Sequence, residues 1–449
     1  MTAKLTQTNV KSTLFRMAYP MLAGTIAINA YNFADTWFVA QLGIIPLAAM
    51  GLTFPVIMII SFVAGGIGNG ITALMSHDIG RKDQAAASRI VTHGIILVIF
   101  LSVILSIAGY LTMEWLFVRI GADNQTLPYV RSYMHMWYAG VIFTAFPMMG
   151  NGILISLGDS KYASLFMLSG AALNCILDPV LIFGWLGFPA LGIFGAALAT
   201  VIALAFSSCW LIYLLTVKYR LLTVEKLHLD DFLNSCRRIM IFAIPGSLSM
   251  ILIPLSLGVI TALVSSHGNE ALAAFSAAGR VEMVAFVIPM ALGMSLMPFT
   301  SQNFGASRID RICEAKRYST RFAFLYGILV AVLFYFISPI LARIFTDNPR
   351  VTELFSLYIR IVAFGYGMME VHRYCGFILT GIHRPFLATA INIIRIFFFL
   401  IPFSFLGNTI SGLQGIFIGR LITDLTAGTI AFIWVSRLLK RQNLNTPAG

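Results

Sequence analysis

The sequence predicts an all-α integral membrane protein with twelve transmembrane helices. Of its 449 residues, 59% are hydrophobic and only 11% are charged, which leaves too little polar surface for a soluble domain. The apolar segments reach 18 or more residues, the length that crosses a bilayer as an α-helix. These segments are continuous rather than alternating, so helices are favoured over a β-barrel. The predicted spans are 15–39, 46–75, 92–113, 133–156, 162–185, 192–216, 239–265, 271–301, 321–344, 356–380, 386–407 and 413–436.

The distribution of basic residues predicts the orientation of these spans. If the N-terminus is cytoplasmic, 21 of the 30 Lys and Arg residues fall in cytoplasmic segments, 4 in external segments and 5 within spans. Cytoplasmic loops of membrane proteins carry such an excess of positive charge. We therefore expect both termini on the cytoplasmic side of the membrane. The net charge of +12 has the same explanation and does not indicate binding to nucleic acid.

An internal repeat divides the twelve spans into two halves. Pro20 recurs as Pro245, Gly43 as Gly268 and Gly80 as Gly305, and the spacing along the chain is the same for all three pairs. Because six spans return the chain to its starting side, the halves are parallel repeats, related by a pseudo-two-fold axis along the membrane normal. The predicted organisation is an N-terminal six-helix lobe at 1–217, a cytoplasmic linker at 218–238 and a C-terminal six-helix lobe at 239–449.

Asp35 is the first candidate for a functional residue. It lies in the first span near Tyr31, where a charge at the bilayer centre costs roughly 2.5 to 3.5 kcal/mol. Two interpretations are open. The carboxylate either reaches interfacial water from the end of the helix or faces a cavity, where it holds a proton or a cation. The repeat places Ile260 at the equivalent position, which favours a specialised role for Asp35.

Span five contains a second acid, Asp178. It shares a helix face with Asn174, four residues earlier, and Pro179 deprives the carbonyl of Cys175 of its helical N–H partner. A carboxylate, an amide and a free carbonyl within one turn suit a hard cation or a protonated network. The alternative is that Asp178-Pro179 ends the helix and the acid is solvated.

Together these features resemble the multidrug and toxic compound extrusion family, in particular its prokaryotic branch named for DNA-damage-inducible protein F. The resemblance covers the whole chain and implies two six-helix lobes in a bacterial cytoplasmic (inner) membrane. It also implies a hydrogen-bonded cation or proton site in the N-terminal lobe and the export of lipophilic, often cationic, compounds. The implied site residues are Asp35, Asn151, Asn174 and Asp178, with Tyr31 and Pro20 in support and Glu370 as a candidate in the second lobe.

The expected mechanism is antiport coupled to protons. Two carboxylates near one site cannot both stay charged cheaply, so one of them should share or hold a proton. Sodium at Asp35, Asn174 and Asp178 is the competing interpretation. No cofactor or further metal is expected, and the absence of a Walker A motif argues against ATP as the energy source. We expect a monomer that contacts membrane lipids and small lipophilic or cationic substrates.

Two other functional classes are considered. A lipid-linked oligosaccharide flippase would use a cationic cavity, and the arginines within spans keep that alternative open. A membrane enzyme is disfavoured because catalytic motifs are missing. Two intrahelical charge pairs are also predicted, Arg420 with Asp424 and Glu370 with Arg373, while Arg280, Glu282, Arg360 and Arg395 have no partner that the sequence identifies.

Overall fold

The computed structural model describes residues 3–222 and 228–444, and all regular secondary structure in these two ranges is helical. The helices are α1 Val10–Ala40, α2 Ile44–Gly80, α3 Gln84–Ile120, α4 Leu127–Ser156, α5 Ser160–Phe183, α6 Ile193–Tyr213, α7 Leu229–Ser265, α8 Asn269–Gly305, α9 Ile309–Arg343, α10 Pro349–Gly381, α11 at 385–410 and α12 at 413–444. Short 3-10 turns occur at Lys4–Thr6, Trp185–Gly187 and, inside α10, Ala363–Gly365, while Leu214–Lys218 and Ile394–Leu400 are π-helical. Residues 223–227 of the predicted linker lie outside the described residues.

The predicted all-helical membrane fold with twelve spans is confirmed. Ten helical stretches in the described chain are long and apolar enough to cross a membrane. The last of them, Pro385–Gln442, is two helices, because Ser411 and Gly412 leave the helical region of the backbone and separate α11 from α12. With the more polar helix α1 added, the total is twelve.

Several helices begin well before the apolar segments that predicted them. α3 starts eight residues earlier than predicted, where the Asp83 side chain accepts a hydrogen bond from the N–H of Ala86 at 2.9 Å. α10 starts seven residues earlier, with Asn348 as its N-cap and Pro349 in the first turn. Both caps satisfy N–H groups that have no partner within the helix. Apolar length therefore predicts the part of each helix within the bilayer but not the polar turns beyond it.

The repeat is visible in the backbone of the turns. Gly43 and Gly268 both have positive φ, of 114° and 102°. Gly158 and His383 also have positive φ, of 76° and 62°. Within each of these two pairs the spacing along the chain equals that between Pro20 and Pro245. Gly192 and Gly412 share φ near 57° and ψ near −135°, at a slightly shorter spacing.

The described chain forms two compact units. Among the described residues, unit 1 consists of residues 3, 19–222 and 228–247, and unit 2 consists of residues 4–18 and 248–444. Both units have apolar cores built from aromatic and branched side chains. In unit 1 the core includes Phe117, Trp137 and Tyr138. In unit 2 it includes Phe355 and Tyr358, whose ring meets that of Phe417 edge-on at 4.8 Å.

The segment that precedes α1 is anchored in unit 2. The N–H of Leu5 donates to Oε1 of Gln302 at 2.8 Å, and the carbonyl of Leu5 accepts from the amide of Asn303 at 3.2 Å. The guanidinium of Arg311 donates to the carbonyls of Leu5 and Thr8 at 3.1 and 2.6 Å. Hydrogen bonds to backbone atoms fix this segment whatever its side chains are.

Candidate ion-coupling site

The site begins with two buried carboxylates in unit 1. Asp35, five residues before the end of α1, is 7% exposed, and Asp178 on α5 is 0% exposed. The two carboxylates interact electrostatically. One oxygen of each, Oδ1, is buried and has no hydrogen-bond partner among the described residues. Asp178 is therefore not solvated at a helix end, and α5 continues past Pro179 to Phe183.

Asn174 connects Asp178 to α6. In the orientation that satisfies both ends of its amide, the nitrogen donates to Oδ2 of Asp178 at 3.1 Å, while the oxygen accepts from the backbone N–H and hydroxyl of Thr200 at 3.3 Å. Asn174 is 1% exposed, so these bonds form away from water. The predicted shared helix face of Asn174 and Asp178 is observed.

Two tyrosines complete the cluster. Tyr31, one turn before Asp35 on α1, interacts electrostatically with both aspartates, and so does the buried Tyr133 on α4. Tyr133 and Thr200 were missed by the sequence analysis, because neutral polar side chains are common in transmembrane helices and carry no obvious penalty. The only signal for Tyr133 was its recurrence as Tyr358, at the same spacing as Pro20 and Pro245.

Asn151 does not join this cluster. It is buried on α4, but its Oδ1 has no hydrogen-bond partner among the described residues. It lies 18 residues beyond Tyr133, which corresponds to roughly 27 Å along an α-helix. Its assignment to the ion site rested on the family resemblance, and the structure places it toward the opposite end of α4.

Pro20 and Glu370 lie apart from the two aspartates. Pro20 is inside α1, which continues through it, next to the division between Ala18 in unit 2 and Tyr19 in unit 1. Proline removes one hydrogen bond from the helix at this point, so the helix is easier to bend there. Glu370 is buried in unit 2 and forms the predicted ion pair with Arg373, at 3.1 Å.

The other predicted ion pair is wrong. Arg420 pairs with Glu282 on α8 at 3.0 Å, and Asp424 pairs with Arg395 on α11 at 2.7 Å. Spacing along one helix favoured Arg420 with Asp424, but each side chain reaches a neighbouring helix instead. The structure thereby supplies the partners of Glu282 and Arg395 that the sequence did not identify.

The cluster in unit 1 is suited to holding a small cation or a proton. It offers two carboxylates, an amide and hydroxyl groups, with carboxylate oxygens that no protein donor satisfies in the described chain. Buried carboxylates without partners are costly, and a proton or a hard cation removes that cost. Electrostatics alone does not distinguish the two ions.

The chain is similar to known membrane transporters. The family model described as MatE matches residues 20–180 and 245–406, one segment in each repeat. The chain is 34% identical to an FAD transporter of Shewanella oneidensis, covering 95% of this chain and 94% of that protein. It is 24% identical to the probable multidrug resistance protein YpnP of Bacillus subtilis, covering 96% and 95%. The Vibrio cholerae MATE transporter VcmN in its bent form superposes with a TM-score of 0.91 at 28% identity, covering 97% and 98%.

These matches span both repeats and nearly the full chain, and they confirm the resemblance predicted from the sequence. A transporter rather than an enzyme follows from the same matches. The chain is therefore a multi-pass membrane protein that belongs to the MatE family of multidrug and toxic compound extrusion transporters.

Proposed function

We propose that this chain is an antiporter that exports small molecules across the cytoplasmic membrane in exchange for protons. The observation that carries the proposal is the buried pair Asp35 and Asp178, each with an oxygen that lacks a partner in the described chain. Protonation neutralises such a carboxylate, and release of the proton restores the negative charge. The states with and without the proton thus differ in electrostatic energy, which is what a coupled conformational change requires. Both termini are taken to be cytoplasmic.

The proposed substrates are lipophilic, often cationic, compounds. Support comes from relatives named as multidrug resistance proteins, such as YpnP. Sodium in place of the proton is the competing coupling ion, with Asp35, Asn174 and Asp178 as its ligands.

A second substrate class is favoured by a specific observation. Apart from Arg321 and Arg343 at the ends of span nine, the spans of unit 2 contain five arginines but only three acids. The FAD transporter of Shewanella oneidensis is 34% identical to this chain. FAD is an anion with planar rings, and arginine with aromatic side chains is the combination that binds such molecules. Export of a flavin nucleotide is therefore the second candidate function.

The experiment uses inverted vesicles that contain the purified protein, with proton and sodium gradients imposed separately. A fluorescent lipophilic cation and FAD are tested in parallel as substrates. Uptake driven by a pH gradient without sodium supports proton coupling. If uptake stops when sodium is removed and an imposed pH gradient does not restore it, proton coupling is refuted.

A further inference from the structure

Three of the arginines within the spans of unit 2 are paired with acids. Arg373, Arg395 and Arg420 each form an ion pair with an acid, at 3.1, 2.7 and 3.0 Å. Arg373 is the most accessible of the three, with 29% of its side chain exposed, against 16% for Arg395 and 14% for Arg420. Arg373 is therefore the paired arginine that a ligand can contact most readily.

Arg373 has unused hydrogen-bonding capacity. A guanidinium has five N–H donors, and a single nitrogen of Arg373, Nη1, contacts Glu370. In the described chain this is the only polar contact of either side chain. Nearby, Nε of Arg395 is buried without an acceptor, and the charge of Arg395 acts on Glu370 as well. The buried Nε of Arg395 and the accessible, unused donors of Arg373 together leave N–H groups that an anionic ligand could satisfy.

The surroundings of Arg373 are aromatic. Its guanidinium carbon lies 5.4 Å from the centre of the Phe286 ring, which meets the Tyr366 ring edge-on at 4.9 Å. The hydroxyl of Tyr374 donates to the carbonyl of Pro289 at 2.8 Å, so this ring is held in place on the same helix α10. Bidentate donors beside fixed aromatic rings suit a phosphate group attached to a planar ring.

We propose that Arg373 and Phe286 form the subsite in unit 2 that binds the phosphate of a ring-bearing anionic substrate. Glu370 is then the internal anion that occupies Arg373 in the empty protein and gives it up when phosphate binds. This inference rests on the second candidate function, export of a flavin nucleotide. It is not needed for proton coupling at Asp35 and Asp178, which lie in unit 1.

Riboflavin and FMN are matched probes, because they share one fluorescent ring system and differ by a single phosphate. Binding of each is measured by fluorescence quenching on the full chain in nanodiscs of zwitterionic lipid, at one pH and without a gradient. We expect FMN to bind more tightly than riboflavin. Arg373→Gln should weaken FMN binding about tenfold or more, the effect of losing one charged hydrogen-bonding group, and leave riboflavin unchanged.

Two further variants separate recognition from folding. Glu370→Gln removes the competing anion and should strengthen FMN binding, whereas disruption of a purely structural ion pair would weaken or not change it. Arg360→Gln is the matched control on the same helix, because this exposed arginine donates to the carbonyl of Tyr335 on α9 and not to an acid. It should change neither affinity. Thermal unfolding of each variant verifies that it is folded.

Equal binding of FMN and riboflavin by the unaltered protein would overturn the proposal, as would an equal loss of both in Arg373→Gln. Phosphatidylglycerol added to the nanodisc tests whether the phosphate group that binds at Arg373 belongs to a lipid headgroup and not to the substrate. If Arg373→Gln weakens binding of this lipid but leaves FMN binding unchanged, the subsite holds a headgroup and its assignment to substrate is wrong. Failure of proton coupling would appear instead in the vesicle assay, where a pH gradient would drive no uptake, while FMN binding without a gradient would be unaffected.

Discussion

The two aspartates of unit 1 make a quantitative prediction about energy coupling. Because Asp35 and Asp178 are both buried and interact electrostatically, we expect one carboxyl group to retain a proton while the other exchanges it. One proton is then coupled to each transport cycle. A gradient of one pH unit supplies about 1.4 kcal/mol per proton, so substrate should accumulate about tenfold at zero membrane potential. Independent exchange at both carboxylates would give about a hundredfold instead.

Replacement of Asp35 by Asn leaves Asp178 without a neighbouring carboxylate. The repulsion between two negative charges, which drives the exchange of a proton at this site, is then lost. We expect accumulation to fall from about tenfold to about onefold, with passive equilibration of substrate still present. The assay is uptake of a fluorescent substrate into vesicles clamped with valinomycin and equal potassium, at equal protein content. Asp178→Asn should have the same effect. Tenfold accumulation in Asp35→Asn would refute the role of Asp35, and hundredfold accumulation in the unaltered protein would refute the shared proton.

Three other predictions follow from particular contacts. Arg311→Gln should lower the free energy of unfolding by about 1.5 to 3 kcal/mol in a denaturation assay, because its charged hydrogen bonds to Leu5 and Thr8 are lost. Arg308→Gln is the control, because its partner Asp310 is exposed, and it should lower the free energy of unfolding by at most about 1 kcal/mol. Asn174→Ala should abolish proton-driven uptake and Asn151→Ala should largely preserve it, and the reverse order would return Asn151 to the site. In a cysteine-free background, a cysteine at Thr223, which lies outside the described residues, should resist impermeant maleimide in intact cells. Labelling there would contradict the cytoplasmic linker.

The sequence was most informative where burial is expensive. Asp35 and Asp178 were recognisable because a carboxylate in an apolar segment needs a reason, and Asn174 followed from the helical period. Thr200 was not recognisable, because a hydroxyl in a span can bond to its own helix at little cost. Its role depends on how α6 packs beside α5, which no local pattern encodes.

The ion pairs of unit 2 show the same limit. Glu370 and Arg373 were predicted as a pair and form one, since they are three residues apart on one helix. Arg420 and Asp424 had equally good spacing but pair with Glu282 and Arg395 on other helices. A spacing rule states which side chains can meet within a helix. It does not state which acid lies closer across an interface between helices.

Unit 2 repeats the backbone of unit 1 but not its chemistry. Thr200 and Arg420 each lie eight residues after the glycines that share φ and ψ, Gly192 and Gly412, and are therefore equivalent. In unit 1 the hydroxyl of Thr200 contacts Asn174 in the cluster that contains the aspartates. In unit 2 the guanidinium of Arg420 donates to Glu282 and to the hydroxyl of Tyr358, the counterpart of Tyr133.

A fixed positive charge thus stands in unit 2 where unit 1 has a neutral hydroxyl. A site that carries its own cation has no electrostatic need for a proton or sodium, so coupling should depend on unit 1 alone. Glu370→Gln should therefore retain most of the tenfold accumulation under a gradient of one pH unit, while Asp35→Asn loses it. Both variants are compared at equal amounts in the vesicle membrane. Equal loss of coupling in the two would place an essential proton in unit 2 as well and would contradict the asymmetry inferred from Arg420.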